Sequence, residues 1–392
     1  MQEAYIVGGF RTAVAKAKKG GFRFMRPDDL AVQVIKGLLK SIPQLEPSFI
    51  DDVIVGNAVP EAEQGLQIGR IISARAVGYD AAGITINRYC ASGLESIAMA
   101  TAKIRSGMAD CIIAGGTESM SLVPTAGWKT VPAYSIAKDD PDYYLSMGLT
   151  AEAVAKEYNV SRDDQDQFSV ASHQKAARAI QEGHFKNGIL PIEVNEVYLD
   201  EKGKRQQRNY IVDTDEGVRA DTTPEVLAKL KPAFAVNGTV TAGNASQTSD
   251  GAAFVVVMSE RMMKQLQLEP IARLVGSAVA GVHPRIMGIG PVAAIPKVLK
   301  QCGLSLNDID LIELNEAFAS QALAVIREAG LDPDKVNMNG GAIALGHPLG
   351  CTGAKLTIQV MHDLQRLNRK YGMITACVGG GQGIAGVIER II

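Results

Sequence analysis

Segments near the two ends of the chain occur twice in the same order, and this repetition constrains the fold most strongly. Three pairs of segments match: VIVGNAV (53–59) with LIELNEA (311–317), CIIAGGTES (111–119) with ACVGGGQG (376–383), and, more loosely, CASG (90–93) with CTGA (351–354), where Ser92-Gly93 aligns with Thr352-Gly353. In the second pair Gly115 matches Gly379. We therefore predict two similar halves packed about a pseudo-twofold axis, with equivalent loops facing one cleft.

The repetition also divides the chain. We expect an N-terminal half at residues 1–120, completed by 241–268, and a C-terminal half at 269–392. Between them, residues 121–240 are richer in charge and predict an inserted loop domain. Ser161 and Asp164 form a capping-box pattern there, before a helix that Gly183 ends.

Short apolar, β-branched runs alternate with helical stretches over both halves. Residues 28–41 place their apolar side chains on one stripe, as in an amphipathic helix. Strands that alternate with helices predict an α/β architecture with mainly parallel sheets. The candidate strands are Ala4–Val7, Val53–Val55, Cys111–Ala114, Phe254–Met258, Ile271–Val275, Leu311–Leu314, Met373–Val378 and Val387–Ile388.

Composition excludes several classes of protein. The chain of 392 residues has a formal net charge of -2, which argues against a general nucleic-acid or membrane-surface binder. Its five cysteines show no CxxC spacing, so we expect neither a disulfide framework nor a metal site. No apolar run reaches the length of a membrane span, and the chain begins without a leader-like segment. We expect a cytoplasmic protein.

Cys90 lies in NRYCASG (87–93), between a strand-like run and a helix that begins at Ser92. Helix N-terminal N–H groups favour a thiolate, the nucleophilic form of cysteine. A small buried side chain is the alternative interpretation, since free cysteines are commonly buried.

His347 lies in the glycine-rich loop GGAIALGHPLGCTGA (340–354). The glycines permit tight turns and close backbone approach, which suits a histidine that acts as a base or as an oxyanion donor. A histidine packed in a turn is the alternative.

Cys377 ends a predicted strand and precedes GGGQG (379–383), whose backbone N–H groups suit an oxyanion hole at Gly379. Asn315, at another strand end, has an amide that suits either the orientation of a water molecule or the capping of a helix. A core position beside a turn is the alternative for Cys377. Two thiols and an imidazole at strand ends favour acyl transfer through a thioester.

Five segments together resemble the thiolase family along essentially the whole chain: NRYCASG (87–93), NASQTSDGAA (244–253), NEAF (315–318), NMNGGAIALGHPLGCTGA (337–354) and CVGGGQG (377–383). The resemblance implies a duplicated, layered αβαβα fold with an inserted loop domain. It also implies an acyltransferase that cleaves a 3-ketoacyl-CoA with CoA to give acetyl-CoA and a shortened acyl-CoA, as in fatty-acid β-oxidation. Coenzyme A would be a co-substrate, with no permanently bound cofactor.

The resemblance also implies roles for individual residues. Cys90 would be the nucleophile, His347 its activating base and Cys377 the second acid/base. Asn315 would hold a water molecule that stabilises the enolate together with His347, and the N–H groups of Cys90 and Gly379 would form the other oxyanion hole. The implied substrate- and CoA-binding residues are Arg219, Ser246, Ala317, Phe318, Met147 and Met287.

Within the family, GHPLGCTGA and NASQTSDGAA resemble the degradative branch. Ser146 stands before Met147 where the biosynthetic acetoacetyl-CoA branch typically has His, although Met147 and Met287 are shared with that branch. A biosynthetic thiolase is therefore the nearest alternative, and a non-catalytic acyl-CoA- or lipid-binding relative is the alternative from another class. A decarboxylating ketoacyl synthase would require a second His at Asn315. The family implies a homodimer or homotetramer, with residues 121–145 as a candidate tetramer contact.

Overall fold

The computed structural model describes residues 2–391, and the secondary structure within them follows the predicted alternation. The strands are β1 (Ala4–Arg11), β2 (Ala15–Lys16), β3 (Asp52–Gly56), β4 (Ala82–Ile86), β5 (Cys111–Ser119), β6 (Ile192–Leu199), β7 (Arg205–Val212), β8 (Ser249–Ser259), β9 (Ala272–Gly281), β10 (Leu311–Leu314), β11 (Tyr371–Val378) and β12 (Gln382–Arg390). The helices are α1 (Pro27–Ser41), α2 (Ile68–Ala76), α3 (Ser92–Arg105), α4 (Tyr134–Asp139), α5 (Met147–Glu157), α6 (Arg162–Gln181), α7 (Pro224–Ala228), α8 (Glu260–Gln265), α9 (Gly290–Cys302), α10 (Ala319–Glu328), α11 (Ala342–Leu345) and α12 (Leu349–Arg366).

Local sequence signals set the ends of the predicted helices. Pro27 occupies the first turn of α1, where its missing N–H removes no helical hydrogen bond. Ser161 and Asp164 form the predicted capping box at the start of α6. Gly183 follows α6 with φ +74°, a left-handed conformation that glycine adopts without a steric penalty.

One large sheet contains every strand except β6 and β7, in the order β10-β11-β12-β9-β1-β8-β5-β3-β4, with β2 beside β8. Only three of its strand pairs are parallel: β10 with β11, and β3 with both β4 and β5. The expectation of mainly parallel sheets is therefore wrong. The long strands β8 and β12 return antiparallel beside β5 and β11, and local sequence does not specify the partner of a strand.

The two ends of this sheet lie on opposite sides of a central layer of helices, and further helices cover their outer faces, so the fold has five layers. In β3, Val53 and Val55 pack with α1 and α2, whereas Ile54 faces the opposite side and packs with α3 and α12. The α3–α12 layer also covers one face of β11 and β12, through residues such as Ile374 and Ile384. On the outer face of those strands, α9 and α10 complete the αβαβα arrangement that the thiolase resemblance implied.

The strand registers repeat between the two ends of the sheet. In the parallel pairs Gly56 lies beside Gly116, and Leu314 lies beside Thr375. Since Asn57 and Asn315 directly follow β3 and β10, this register supports their predicted equivalence. It makes Gly115 equivalent to Ile374, so the predicted match of Gly115 with Gly379 is wrong. The glycine run lies inside β5 but after the end of β11, and a match of letters cannot detect that difference.

The central charged region, residues 121–240, contains α4 to α7 and an antiparallel hairpin of β6 and β7. The sequence analysis did not predict the hairpin. A buried ion pair ties the region to the sheet, with Arg11 of β1 bonded through both of its terminal nitrogens to Asp215. Within residues 2–391, no helix is both long and apolar enough to cross a membrane.

Candidate active site

Cys90 lies in a single helical turn, Tyr89–Ala91, that joins β4 to α3. Tyr89 has φ +43°, an uncommon conformation for a residue with a side chain. Two side chains hold the turn: Asn87 Oδ1 accepts a hydrogen bond from Tyr89 N, and Ser92 Oγ accepts one from Arg88 N at 2.8 Å and donates one to Tyr89 O at 2.7 Å. The strained backbone is therefore fixed by its neighbours, as is common where a side chain is aimed at a substrate.

The two central helices bring the Cys90 turn and the His347 loop to the same end of the fold. Gly93 of α3 faces the first turns of α12, and a Cβ atom at this position would lie 2.6 Å from Ala354 N. Gly353 of α12 faces the backbone of Leu94 in the same way. Only glycine permits this approach. Because Cys90 and His347 each lie just before the first turn of one of these helices, which begin at Ser92 and Leu349, the packing places their loops side by side.

His347 is buried and hydrogen-bonded through both ring nitrogens. Its Nδ1 lies 2.6 Å from Thr352 Oγ1, and its Nε2 lies 3.3 Å from Asn315 Nδ2. Its backbone N–H donates to Ser249 Oγ at 3.2 Å. These contacts come from the residue after β10, from β8 and from α12, so the ring orientation is set by tertiary structure.

Cys377, near the end of β11, is buried, and Gly379 follows that strand. Gly379 lies against the Cys90 turn, since a Cβ atom on it would stand 3.4 Å from Tyr89 Cδ2, and the backbone N–H groups of Gly379 and Cys90 lower the pKa of the Cys90 thiol. Two N–H groups that converge on one point can stabilise an oxyanion formed there. The structure therefore brings Cys90, Cys377 and Gly379 together.

Burial keeps all three titratable groups of this site neutral in the resting state. Although Cys90 as a residue is half-buried, the protein packed around its sulfur raises the pKa to about 12, against the lowering effect of the two N–H donors. Burial also raises the pKa of Cys377, and a negative charge on Cys90 would raise it further. Burial, with the nearby Lys355 ammonium, lowers the pKa of His347 to about 3.

These pKa shifts correct one expectation from the sequence. The helix N-terminus does not make Cys90 a resting thiolate, because removing the thiol from water outweighs the stabilisation from backbone donors. The thiol proton must leave during the reaction, when a charged partner or substrate dipole is present.

Asn315 lies between β10 and the apolar wall of the site. Its backbone N–H continues the parallel pairing by donating to Thr375 O at 2.9 Å. Its Oδ1 is buried and has no hydrogen-bond partner among the residues that the structure describes. A buried acceptor of this kind fits a water molecule or a polar substrate atom, consistent with the predicted role.

An apolar cluster adjoins Cys377. Met287, Ala317 and Phe318 are buried together with Cys377, and Met147 of α5 packs against them. Ser246 N donates to Ala317 O at 2.9 Å, which fixes the NASQTSDGAA segment beside this wall. Five of the six predicted substrate- and CoA-binding residues thus lie together.

Arg219, the sixth, is not part of this cluster and lies in the loop after the β6–β7 hairpin. Its backbone N–H donates to His173 Nδ1 of α6 at 3.2 Å. Besides burial, the positive charges of Arg219 and Lys16 lower the pKa of His173 to about 4. Two cationic side chains, Arg219 and Lys16, and the Asp221 carboxylate therefore lie near the neutral His173 ring.

Sequence reasoning missed three residues that hold the site. Thr352 and Ser249 bind the His347 ring and backbone, and both lie inside segments that the sequence analysis singled out for other reasons. Glu118, at the end of β5, is buried and accepts hydrogen bonds from Gly350 N and Ala58 N, both at 2.8 Å. The only available signal for Glu118 was an acidic residue inside an otherwise buried strand. In the part of the chain that the structure describes, no group of three or more His, Cys, Asp or Glu residues could hold a metal ion.

Two family models match nearly the whole chain: "Thiolase, N-terminal domain" at residues 4–261 and "Thiolase, C-terminal domain" at residues 268–390. The chain belongs to the thiolase family. This thiolase is 55% identical over 390 residues to a 3-ketoacyl-CoA thiolase of Bacillus subtilis, an alignment that covers 99% of this chain and 100% of that protein. It is 43% identical to a 3-ketoacyl-CoA thiolase of Marinobacter nauticus, over 100% of this chain and 99% of that one.

A solved structure supports the same fold. The crystal structure of the Bacillus anthracis acetyl-CoA acetyltransferase matches this thiolase with a TM-score of 0.90 and 38% sequence identity, over 100% of this chain and 99% of that chain. The family, the fold and the acyltransferase class predicted from the sequence motifs are thereby confirmed.

Proposed function

We propose that this thiolase cleaves 3-ketoacyl-CoA with CoA, giving acetyl-CoA and an acyl-CoA shortened by two carbons, in the degradative direction of fatty-acid β-oxidation. The observation that carries the proposal is the meeting of the Cys90 turn, Cys377 and Gly379 beside one apolar wall, with the N–H groups of Cys90 and Gly379 stabilising negative charge at the Cys90 sulfur. The names of the Bacillus subtilis and Marinobacter nauticus relatives support the same substrate class.

In the first half-reaction, His347 takes the proton of the Cys90 thiol, and the sulfur attacks the keto carbon of the substrate. The N–H groups of Cys90 and Gly379 stabilise the oxyanion that forms. The Cα–Cβ bond then breaks and its electron pair becomes the enolate of acetyl-CoA, whose oxygen faces His347 and the water held by Asn315. Cys377 donates its proton to the enolate carbon, and acetyl-CoA leaves.

In the second half-reaction, CoA enters and its thiol gives a proton to the Cys377 thiolate. The CoA thiolate attacks acyl-Cys90, the shortened acyl-CoA leaves, and the proton on His347 returns to Cys90. The neutral resting states of both thiols fit this sequence, because each charge arises only after substrate binds and is gone once both products have left. The kinetics should be ping-pong.

The proposed binding residues form two groups, one that lines an apolar wall and one that carries positive charge. Ser246, Ala317 and Phe318 would line the channel for the pantetheine arm, since they form a wall beside Cys377. Arg219, together with Lys16, would face the phosphates of the CoA nucleotide, because two cationic side chains attract them.

Met147 and Met287 would contact the acyl part. Methionine side chains adapt to varied shapes, so the proposal includes chains longer than four carbons. Met147 Sδ lies 3.9 Å from the point that a Cβ on Gly379 would occupy, so it borders the oxyanion hole.

We also propose a homo-oligomer in the cytoplasm, without a permanently bound cofactor. β4 is an edge strand of the large sheet, and Ile84 on it is partly exposed, so a second copy could pair with it. Residues 121–145 expose Trp128, Val131 and Tyr134, which supports a contact between dimers. The division into halves 1–120 with 241–268 and 269–392, around a loop domain at 121–240, remains part of this proposal.

Thiolysis across a series of 3-ketoacyl-CoA chain lengths tests the function. We expect turnover of substrates with four carbons and of longer ones, and an acyl adduct on Cys90 by mass spectrometry when CoA is withheld. Cys90→Ser should abolish the adduct. Activity confined to the four-carbon substrate would favour a biosynthetic acetoacetyl-CoA thiolase, and no adduct at all would favour an acyl-CoA- or lipid-binding protein.

A further inference from the structure

The Thr352 hydroxyl is the buried polar group closest to the candidate base that the mechanism above does not use. Thr352 is 1% exposed and lies in the first turn of α12. Its Oγ1 lies 2.6 Å from His347 Nδ1 and 2.8 Å from the carbonyl oxygen of Pro348. Both distances are those of hydrogen bonds, so the hydroxyl bridges the ring and the backbone.

The chemistry of these three groups points to where the protons lie. A carbonyl oxygen only accepts, so the 2.8 Å contact places the single hydroxyl proton of Thr352 on its bond to Pro348 O. Its oxygen is then left to accept, and the bond to the ring requires a proton on His347 Nδ1. A neutral imidazole with its proton on Nδ1 has a free electron pair on Nε2.

The opposite side of the ring agrees with this assignment. Asn315 Nδ2 is an amide donor and lies 3.3 Å from His347 Nε2, an arrangement that needs an unprotonated Nε2. The two bonds come from different elements, since Asn315 follows β10 and Thr352 belongs to α12.

We propose that Thr352 is a positioning residue that holds His347 in the Nδ1–H tautomer, so that Nε2 is the atom that takes the Cys90 proton. The assignment of that proton transfer rests on the proposed function. The proton moves from Cys90 Sγ to Nε2, the ring becomes an imidazolium, and the Nδ1 proton stays on its bond to Thr352. When the acyl group leaves, the Nε2 proton returns to Cys90.

The duplicated half contains a matching device. Ser92, the counterpart of Thr352 in the repeat, accepts a hydrogen bond from Arg88 N and donates one to Tyr89 O, which holds the Cys90 turn. Each hydroxyl therefore stands in the first turn of a central helix and bonds back to the loop before it. One fixes the nucleophile turn, and the other fixes the base.

The role of the Thr352 hydroxyl can be tested by substitution, because the backbone of α12 does not depend on this group. The N–H groups of Cys351 and Thr352 each donate to Pro348 O at 3.0 Å, so the first turn of α12 keeps its own bonds. Thr352→Val has nearly the same shape without the hydroxyl, and Thr352→Ser keeps the hydroxyl.

Nitrogen-15 NMR of histidine-labelled full-length protein reads the tautomer directly, with the His347 signals identified as those missing from His347→Asn. We expect the Nδ1–H tautomer in the wild type and in Thr352→Ser, and a mixture of tautomers in Thr352→Val. Losing a partner that orients a catalytic imidazole should lower kcat of Thr352→Val roughly 10- to 100-fold with KM nearly unchanged. Thr352→Ser should restore most of that loss.

A wild-type ring protonated on Nε2 would overturn the proposal, as would a Thr352→Val variant with an unchanged tautomer and unchanged kcat. Circular dichroism and thermal unfolding show whether each variant is folded. A wild-type protein with the Nδ1–H tautomer but no thiolysis would reject the proposed function and leave the tautomer assignment standing.

Discussion

Gly93 of α3 lies so close to Ala354 of α12 that a Cβ atom on Gly93 would stand 2.6 Å from the Ala354 nitrogen. The contact is to backbone, which cannot move aside as a flexible side chain can. It joins the two helices whose N-terminal ends carry the Cys90 turn and the His347 loop.

Gly93→Ala should therefore separate the two helices. We expect a loss of about 1–3 kcal/mol in the free energy of unfolding, together with a larger loss of thiolysis than of substrate binding. Denaturant unfolding and steady-state kinetics measure both. Gly281→Ala is the matched control, since the nearest atom to its added Cβ is 4.0 Å away. Equal effects of the two substitutions would contradict the packing argument.

The pH dependence of Cys90 alkylation tests the resting protonation state. Because burial raises the pKa of Cys90 to about 12, the thiolate fraction increases throughout the accessible alkaline range. We expect the rate of reaction with iodoacetamide, followed at Cys90 by mass spectrometry, to keep rising from pH 7 to pH 10. A plateau below pH 8 would instead indicate a resting thiolate–imidazolium pair with His347.

Removing one partner of the buried pair of Arg11 and Asp215 should be strongly destabilising. Its two hydrogen bonds are 2.7 and 2.8 Å long, and both side chains are almost fully buried. Asp215→Asn leaves a buried guanidinium without its counterion, and we expect a loss of about 3–5 kcal/mol in the free energy of unfolding. The control is Glu260→Gln, which removes the exposed pair with Lys264 and should cost less than about 1 kcal/mol. Denaturant unfolding compares the two, and similar losses would refute the prediction.

Glu313 should destabilise the fold at neutral and alkaline pH. Burial, with the neighbouring Asp363 carboxylate, raises the pKa of Glu313 to about 8. A pKa raised above its unfolded value gives stability that is present below the unfolded pKa and is lost as pH rises through the folded pKa. Glu313→Gln should remove this loss and stabilise the protein at pH 8 by about 2–4 kcal/mol, but have little effect at pH 4.

Thermal unfolding at the two pH values checks this prediction. Glu46→Gln, at an exposed position, is the control and should leave the thermal stability unchanged at both pH 4 and pH 8. A stabilisation by Glu313→Gln that is as large at pH 4 as at pH 8 would show that ionisation is not the cause.

Sequence patterns predicted elements whose cause is local. The helix predicted at 28–41 is observed at Pro27–Ser41, and the capping box of Ser161 is present at α6. Sequence patterns failed where strand pairing decides the structure. The hairpin of β6 and β7 was missed, and the sheet is mixed although alternating strands and helices favoured parallel pairing. Strand partners lie far apart in the chain, and their choice depends on how whole layers pack.

The sequence by itself determined the family and the identity of the candidate reactive groups, because Cys90, His347 and Cys377 each lie in a short segment whose residue types are distinctive. Only the tertiary structure decided their state. The neutral Cys90 thiol and the neutral His347 ring follow from burial, and the ring tautomer follows from Thr352 and Asn315 on opposite sides. The physical reason is that desolvation and hydrogen bonding depend on every group packed around an atom, and those groups come from distant parts of the chain.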